Sequence, residues 1–404
     1  MKGALTGIRV LDLSRILAGP WATQMLADFG AEVIKIERPG CGDDTRSWGP
    51  PFMQDSAGRN TRDAAYFHGA NRGKRSLAVD IAHPEGQALI RALAVKCDVV
   101  VENYKVGGLQ KYGLDYASLK ALNPQLVYCS ITGFGQSGPY RERAGYDFMI
   151  QAMGGLMSVT GEPDGSPMKV GVALADVMTG LYACNAIQAA LLYRERHGVG
   201  QHIDLALLDV QVASLANQAM NFLASRLVPG RLGNAHPNIV PYQAFATADG
   251  HIILAVGNDA QFGKFCQLAG APALASEPAF ATNRARVEHR GELVPLLETL
   301  LRQHPSAWWL EQLSARGVPC GPINTLDQVF ADPQVQHRGM QTELEHPEAG
   351  RVPSVANPIK FSETPVSYRS APPTLGQHSA AVLRELLDLP VSTINQLKAE
   401  GIVE

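Results

Sequence analysis

Signatures for dinucleotides, metals and disulfides are all missing from this 404-residue sequence. The first β-α turn reads "ILAGP" instead of G-x-G-x-x-G, which removes the fingerprint of a nicotinamide or flavin dinucleotide site. "TGFGQSGPY" (132–140) is rich in glycine but lacks the Lys-Ser/Thr of a phosphate-binding P-loop. No G-x-S-x-G, no H-E-x-x-H and no paired Cys-His occurs, so the common hydrolase and zinc-peptidase motifs are excluded. The six cysteines, at 41, 97, 129, 184, 266 and 320, form neither C-x-x-C nor a ligand spacing. That usage fits reduced, structural thiols in a cytoplasmic protein. Neither sign of charge dominates: 35 Lys+Arg against 38 Asp+Glu leave a net charge of -3, which argues against a general nucleic-acid binder. The longest apolar segment, 170–193, is interrupted by Asp176, Asn185 and Gln188, so no membrane span is expected. "MKGALTGIRVLDLS" has no secretory apolar region and no transit-peptide character.

What is present is a repeating α/β pattern. "IRVLDL" (8–13), an amphipathic segment and "AEVIKIE" (31–37) make one β-α-β unit. The pattern continues through "SLAVDI" (76–81), a helix opening at Pro84, "DVVVENY" (98–104), a helix near 115–122 and "LVYCSITGFG" (126–135). Residues 1–224 are read as a doubly wound α/β domain, ending in a helix over 177–197, a strand and a second long helix. Residues 225–330 read as a smaller α+β domain with a hairpin about Ala248-Asp249-Gly250 and an amphipathic helix in "NRARVEHRGELVPLLETLLRQ". Residues 331–404 read as a linker and a C-terminal segment that returns to the large domain.

Two groups of residues invite chemistry. Arg38 and Lys105 follow expected strands, on the side where open parallel sheets bind ligands, and suggest an anionic, phosphate-bearing partner. Singly, Arg72, Lys74, Arg75 and Lys111 read as a solvated rim. Asp176 is a lone carboxylate in "GVALADVMTGLYACNA" (171–186), where an ionised group is costly unless paired or used. Its local reading is an N-cap of the helix that follows. His236 in "GNAHPN" lacks an orienting partner in sequence and reads as structural.

Taken in order, "VLDLSRILAGPWATQMLADFGAEVIKIERPG", "NRGKRSLAVD", "VVVENY", "GFGQSGPY", "RAGYD", the "LAD" of Asp176, "GVGQHIDLALLD", "GNAHPNIVPYQAF" and "GVPCGPINTLDQVFADPQV" resemble the class III CoA-transferases. This is the CaiB/BaiF family, which includes formyl-CoA transferase and succinate-, oxalate- and glutarate-type enzymes. The resemblance implies a Rossmann-like large domain, an interlocked ring-like homodimer, and CoA exchange between short dicarboxylic acids. It further implies Asp176 as the nucleophile, passing through an aspartyl-CoA thioester. A CoA thioester is then the substrate, with no permanently bound cofactor and no metal. Expected CoA contacts carry over to Leu17, Ala18, Arg38, Val79, Asp80, Ile81, Ala82, Asn103, Tyr104, Lys105, Lys111, Tyr146 and Asp147. Leu17 stands where formyl-CoA transferase has a glutamine, and "GNAHPN" replaces its glycine-rich flap. Acyl-CoA racemases share the fold but read G-H-D where this chain has Gly145-Tyr146-Asp147, and Tyr146 makes a poor base at neutral pH. The remaining alternative is a CoA-ester-binding protein without turnover. Arg15, Arg46, Arg72, Arg143 and His236 are candidates for holding a second carboxylate, and the sequence does not rank them.

Overall fold

Runs of valine, isoleucine and leucine that are apolar on both alternating faces can only be buried in a sheet covered on both sides. The computed structural model, which describes residues 3–404, places such strands at the centre of one six-stranded parallel sheet, with a more polar strand at each edge. The six are β1 (Arg9–Asp12), β2 (Glu32–Glu37), β3 (Lys74–Ala78), β4 (Val99–Glu102), β5 (Val127–Thr132) and β6 (His202–Ala206). Their order across the sheet is β3-β2-β1-β4-β5-β6, every neighbouring pair parallel. This is the doubly wound Rossmann order, with its reversal between β1 and β4. Leu11, Ile34, Leu77 and Val100 bury one face, while Val10, Val33, Val99 and Val127 bury the other.

Close contacts group the chain into two units. The first comprises Met1–Gly154, Gly171–Ser214 and Pro333–Glu404; the second comprises Gly155–Val170 and Leu215–Asp332. The second unit therefore takes residues 155–170 and begins ten residues before 225, the boundary read from sequence. The stretch read as one long helix after β6 is in fact two, Leu207–Ala213 and Ala216–Ser225, with a left-handed Ala216 (φ 45°) at the break. Within the first unit the tail docks on the sheet edge: Val79 bridges Val403, and Asp80 N–H donates to the Ile402 carbonyl.

The second unit holds a three-stranded antiparallel sheet, with His251–Ala255 between Cys320–Pro322 and Tyr242–Ala246. The expected hairpin closes through Asp249, which accepts Ser306 N–H (2.7 Å) and the Thr247 hydroxyl (3.1 Å). The amphipathic stretch breaks at His289 into Asn283–Glu288 and Arg290–Leu301, burying Leu293, Leu297 and Leu301 beside Trp309.

Two helices of the first unit fix the site. Helix α1 spans Ala18–Asp28 and α2 spans Leu174–His197. They cross at Gly180, where a Cβ would lie 2.8 Å from the Ala18 carbonyl and 3.0 Å from Trp21 Cβ. Only glycine permits that approach, and it brings the first turn of α1 against the second turn of α2.

Candidate active site

The carboxyl ends of β1, β4 and β5 open into a cavity of about 420 Å³. Open parallel sheets bind ligands where strand order reverses, and this cavity sits there. The loops after β1 and β4 are locked together by Asn103: its Oδ1 accepts Arg15 N–H (2.9 Å) and its Nδ2 donates to the Arg15 carbonyl (2.7 Å). Tyr104 N–H in turn donates to buried Glu102 (2.8 Å), turning the chain toward Lys105.

Asp176 lines this cavity but is not an N-cap. Helix α2 begins at Leu174, so Asp176 sits inside the first turn, and Ala173 caps without a side-chain bond. The capping comes from Asp147 instead. Its Oδ1 accepts Ala175 N–H (2.8 Å) and Asp176 N–H (3.3 Å), and its Oδ2 takes Gln151 Nε2 (2.7 Å). Among the described residues no donor is bonded to the Asp176 carboxylate itself. Burial, and then the Asp147 charge, push its pKa up from 3.8 to about 7. A carboxylate in that state is poorly solvated, ionisable near neutrality and free to attack.

Asp147 reaches this position through two glycines. A Cβ on Gly145 would lie 2.4 Å from Gly133 Cα, and one on Gly133 would lie 2.6 Å from Gly145 Cα. Backbone meets backbone there, which holds Tyr146 and Asp147 beside the end of β5.

Of the residues expected to contact CoA, Leu17, Ala18, Ile81, Asn103, Tyr104, Lys105, Lys111 and Tyr146 line the cavity. Arg38, Val79, Asp80, Ala82 and Asp147 are not among its lining. Arg38 is exposed just past β2, the Val79 side chain is in the core, and Asp80 Oδ1 accepts Ala82 N–H (2.9 Å). Arg46 and Arg72 are buried and committed. Arg46 forks onto Glu37 (2.7 and 2.8 Å) and reaches Asp63 (2.8 Å), while Arg72 forks onto Asp28 (2.6 and 2.9 Å). Lys74, read as rim, is fully buried on Asp12 (3.0 Å). His236 belongs to the second unit, where its ring packs on Tyr242 (5.2 Å) and its Nδ1 accepts Asn238 N–H (3.0 Å).

Tyr66 was not singled out from sequence. It sits edge-on to Trp48 (5.4 Å), and its phenol pKa is raised by burial and then by the charges of Asp176, Asp147 and Asp43. No local motif marks it; only the folded path of Ala65–His68 brings it into the field of Asp176.

A profile of CoA-transferase family III matches residues 5–379. The chain belongs to that family. A succinate–glutarate CoA-transferase of Agrobacterium fabrum is 56% identical over 385 residues, covering 95% of this chain and 96% of the relative. The succinyl-CoA:glutarate CoA-transferase of Mus musculus is 46% identical over 400 residues, 99% of this chain and 90% of the relative. A crystal structure of a CaiB/BaiF family protein from Brucella suis superposes with a TM-score of 0.83 at 55% identity, covering 96% of this chain and all of that one (100%). As a member of CoA-transferase family III the chain is an enzyme.

Proposed function

We propose that this enzyme moves CoA between short dicarboxylic acids, with succinyl-CoA as donor and Asp176 as covalent nucleophile. The supporting observation is the Asp176 carboxylate: free of donors, poised near neutrality, and set in a cavity that Arg15, Lys105, Lys111, Arg141 and Arg143 also line. The relatives' names supply the dicarboxylate class.

The steps balance without a proton or an added reagent. An Asp176 oxygen attacks the thioester carbonyl, the C–S bond breaks, and CoA thiolate leaves a mixed anhydride. The thiolate then attacks the aspartyl carbonyl, giving aspartyl-CoA and releasing the donor acid. The acceptor carboxylate repeats the sequence in reverse, ending with a new acyl-CoA and free Asp176. Splitting one difficult exchange into acyl transfers between good leaving groups is the gain of covalent catalysis. Lys105 and Lys111 balance the phosphates of CoA, and Leu17, Ala18, Ile81, Asn103 and Tyr104 form its walls. Asp147 positions Asp176 by taking its backbone N–H, and its charge keeps the nucleophile basic.

The enzyme acts as a homodimer in this reading. Leu181, Tyr182, Leu192 and Tyr193 are each more than a third exposed along α2, a large apolar face for a partner copy to cover. Light scattering at twice the chain mass is the expected result. Six free cysteines, four of them fully buried, suit the reducing cytoplasm.

A CoA-exchange assay tests the function. Succinyl-CoA is incubated with a panel of carboxylic acids, and products are followed by chromatography and mass spectrometry for wild type and Asp176→Ala. New acyl-CoA species with wild type alone support the proposal. Exchange by the variant at the wild-type rate removes Asp176 from it.

A further inference from the structure

The five cations of the cavity stand on two walls. Arg15 and Lys105 lie on the loops locked by Asn103, with Lys111 following on the same stretch. Arg141 and Arg143 belong to the segment between β5 and Tyr146, which the Gly133–Gly145 contact and Asp147 tie to the Asp176 backbone. Their occupancy differs as well. Arg15 is paired with Asp44 (2.8 Å) and Arg141 with Glu142 (3.2 Å). Arg143 has no carboxylate partner among the described residues; its guanidinium lies 4.6 Å from the Tyr140 ring centre and 5.9 Å from that of Phe134. A guanidinium held against aromatic faces keeps its planar fork for a ligand.

We propose that Arg143 binds the distal carboxylate of the acyl group and selects dicarboxylates over monocarboxylates. This rests on reading the chain as a dicarboxylate CoA-transferase. Of the five candidates left unranked by sequence, Arg46, Arg72 and Arg15 already hold carboxylates of the chain itself, and Arg143 alone shares the wall of Asp176. A fork matches a carboxylate with two parallel charge-assisted bonds, which a methyl terminus cannot make.

Internal competition tests it. Glutarate and pentanoate, which share a five-carbon chain, compete in one tube for CoA from succinyl-CoA. The ratio of the two acyl-CoA products then reports relative kcat/KM, whatever the donor rate or the folded fraction. Wild type should favour glutarate, and Arg143→Gln should lower that ratio by roughly ten- to a hundredfold, the worth of a hydrogen bond to a charged group. Arg143→Lys should recover part of it. A ratio unchanged in Arg143→Gln while both products fall together would assign Arg143 to CoA and overturn the proposal. A wild type that makes neither product overturns the dicarboxylate transferase reading itself, and Arg143 with it.

Asp63, His68 and His346 form a separate buried cluster, 2%, 6% and 4% exposed, with one ligating atom of each within 4.8 Å of the others. Asp63 Oδ2 takes Arg46, but Asp63 Oδ1, both His68 nitrogens and His346 Nε2 have no partner among the described residues. Two histidines and a carboxylate suit a transition metal by type. The tautomer of His346 decides otherwise. Its Nδ1 accepts the backbone N–H groups of Ala349 (3.0 Å) and Glu348 (3.2 Å), so the neutral ring carries its proton on Nε2. A cation cannot accept that proton's hydrogen bond; a water can. We infer that the cluster holds one ordered water, accepting from His346 Nε2 and donating to Asp63 Oδ1 and one His68 nitrogen. Three bonds are usual for a buried water. A high-resolution crystal structure of the full chain after incubation with zinc should show a peak within hydrogen-bond distance of all three groups and no anomalous signal. Zinc bound there at stoichiometric level, or no density between the three side chains, overturns the inference.

Discussion

Replacing Asp176 by asparagine should inactivate the protein and make it more stable. The folded environment moves this carboxyl from 3.8 to about 7. A shift of about three units corresponds to roughly 4 kcal/mol held against folding when the group is ionised. The side chain is only partly buried and faces an open cavity, so solvent screening brings the expected value to about 2–3 kcal/mol. Because the folded pKa is the higher one, the native state binds more protons than the unfolded chain between pH 3.8 and about 7. Wild-type stability therefore falls across that window as pH rises, and the penalty is constant above it. Asparagine carries no such penalty. Urea denaturation of both proteins, at matched concentration because the proposed association would contribute to stability, should show the variant ahead by that amount at pH 8. The lead should be markedly smaller at pH 5. A variant no more stable than wild type at pH 8, or one whose advantage is the same at both pH values, would refute the view of Asp176 as a strained nucleophile.

In the proposed reaction the ionised form of Asp176 attacks, so kcat/KM should rise with pH to a plateau, with a midpoint near 7. Asp147→Asn removes the neighbouring charge that raises this pKa and should move the midpoint of the pH profile downward. An unmoved midpoint would leave burial as the sole cause. Arg72→Ala strips the partner from buried Asp28 and should cost about 3–5 kcal/mol in denaturant midpoint analysis. Arg143→Gln, by contrast, should leave stability within about 0.5 kcal/mol. Gly145→Ala forces a Cβ to 2.4 Å from Gly133 Cα, so it should destabilise by about 1–3 kcal/mol and lower kcat by displacing Asp147. Calorimetry and the exchange assay together check both effects.

The parallel strands were legible because apolar runs covered on both faces have few alternative fates. "IRVLDL" (8–13) contains β1, and "AEVIKIE" (31–37) contains β2. Family motifs singled out Asp176, but its local role was misread. Asp followed by a helical stretch looks like a cap, whereas the cap is Asp147, 29 positions away in the chain. Buried charges hid for the same reason. Lys74 and Arg72 look like a rim until Asp12 and Asp28, 62 and 44 residues earlier, are seen folded beneath them. The break at Ala216 was equally silent, since Leu207–Ser225 is helical in composition throughout and a positive φ at alanine leaves no trace in sequence. Tyr66 escaped because proximity to Asp176 is created by the fold alone.

The account turns on a covalent bond between Asp176 and CoA. The enzyme should be mixed with succinyl-CoA in the absence of acceptor, quenched in acid, digested, and examined by mass spectrometry. The peptide containing Asp176 should carry the mass of CoA less water, as a thioester that hydroxylamine removes, and Asp176→Asn should carry none. Exchange that proceeds at full rate with no adduct on that peptide, or an adduct on another carboxylate, would contradict it.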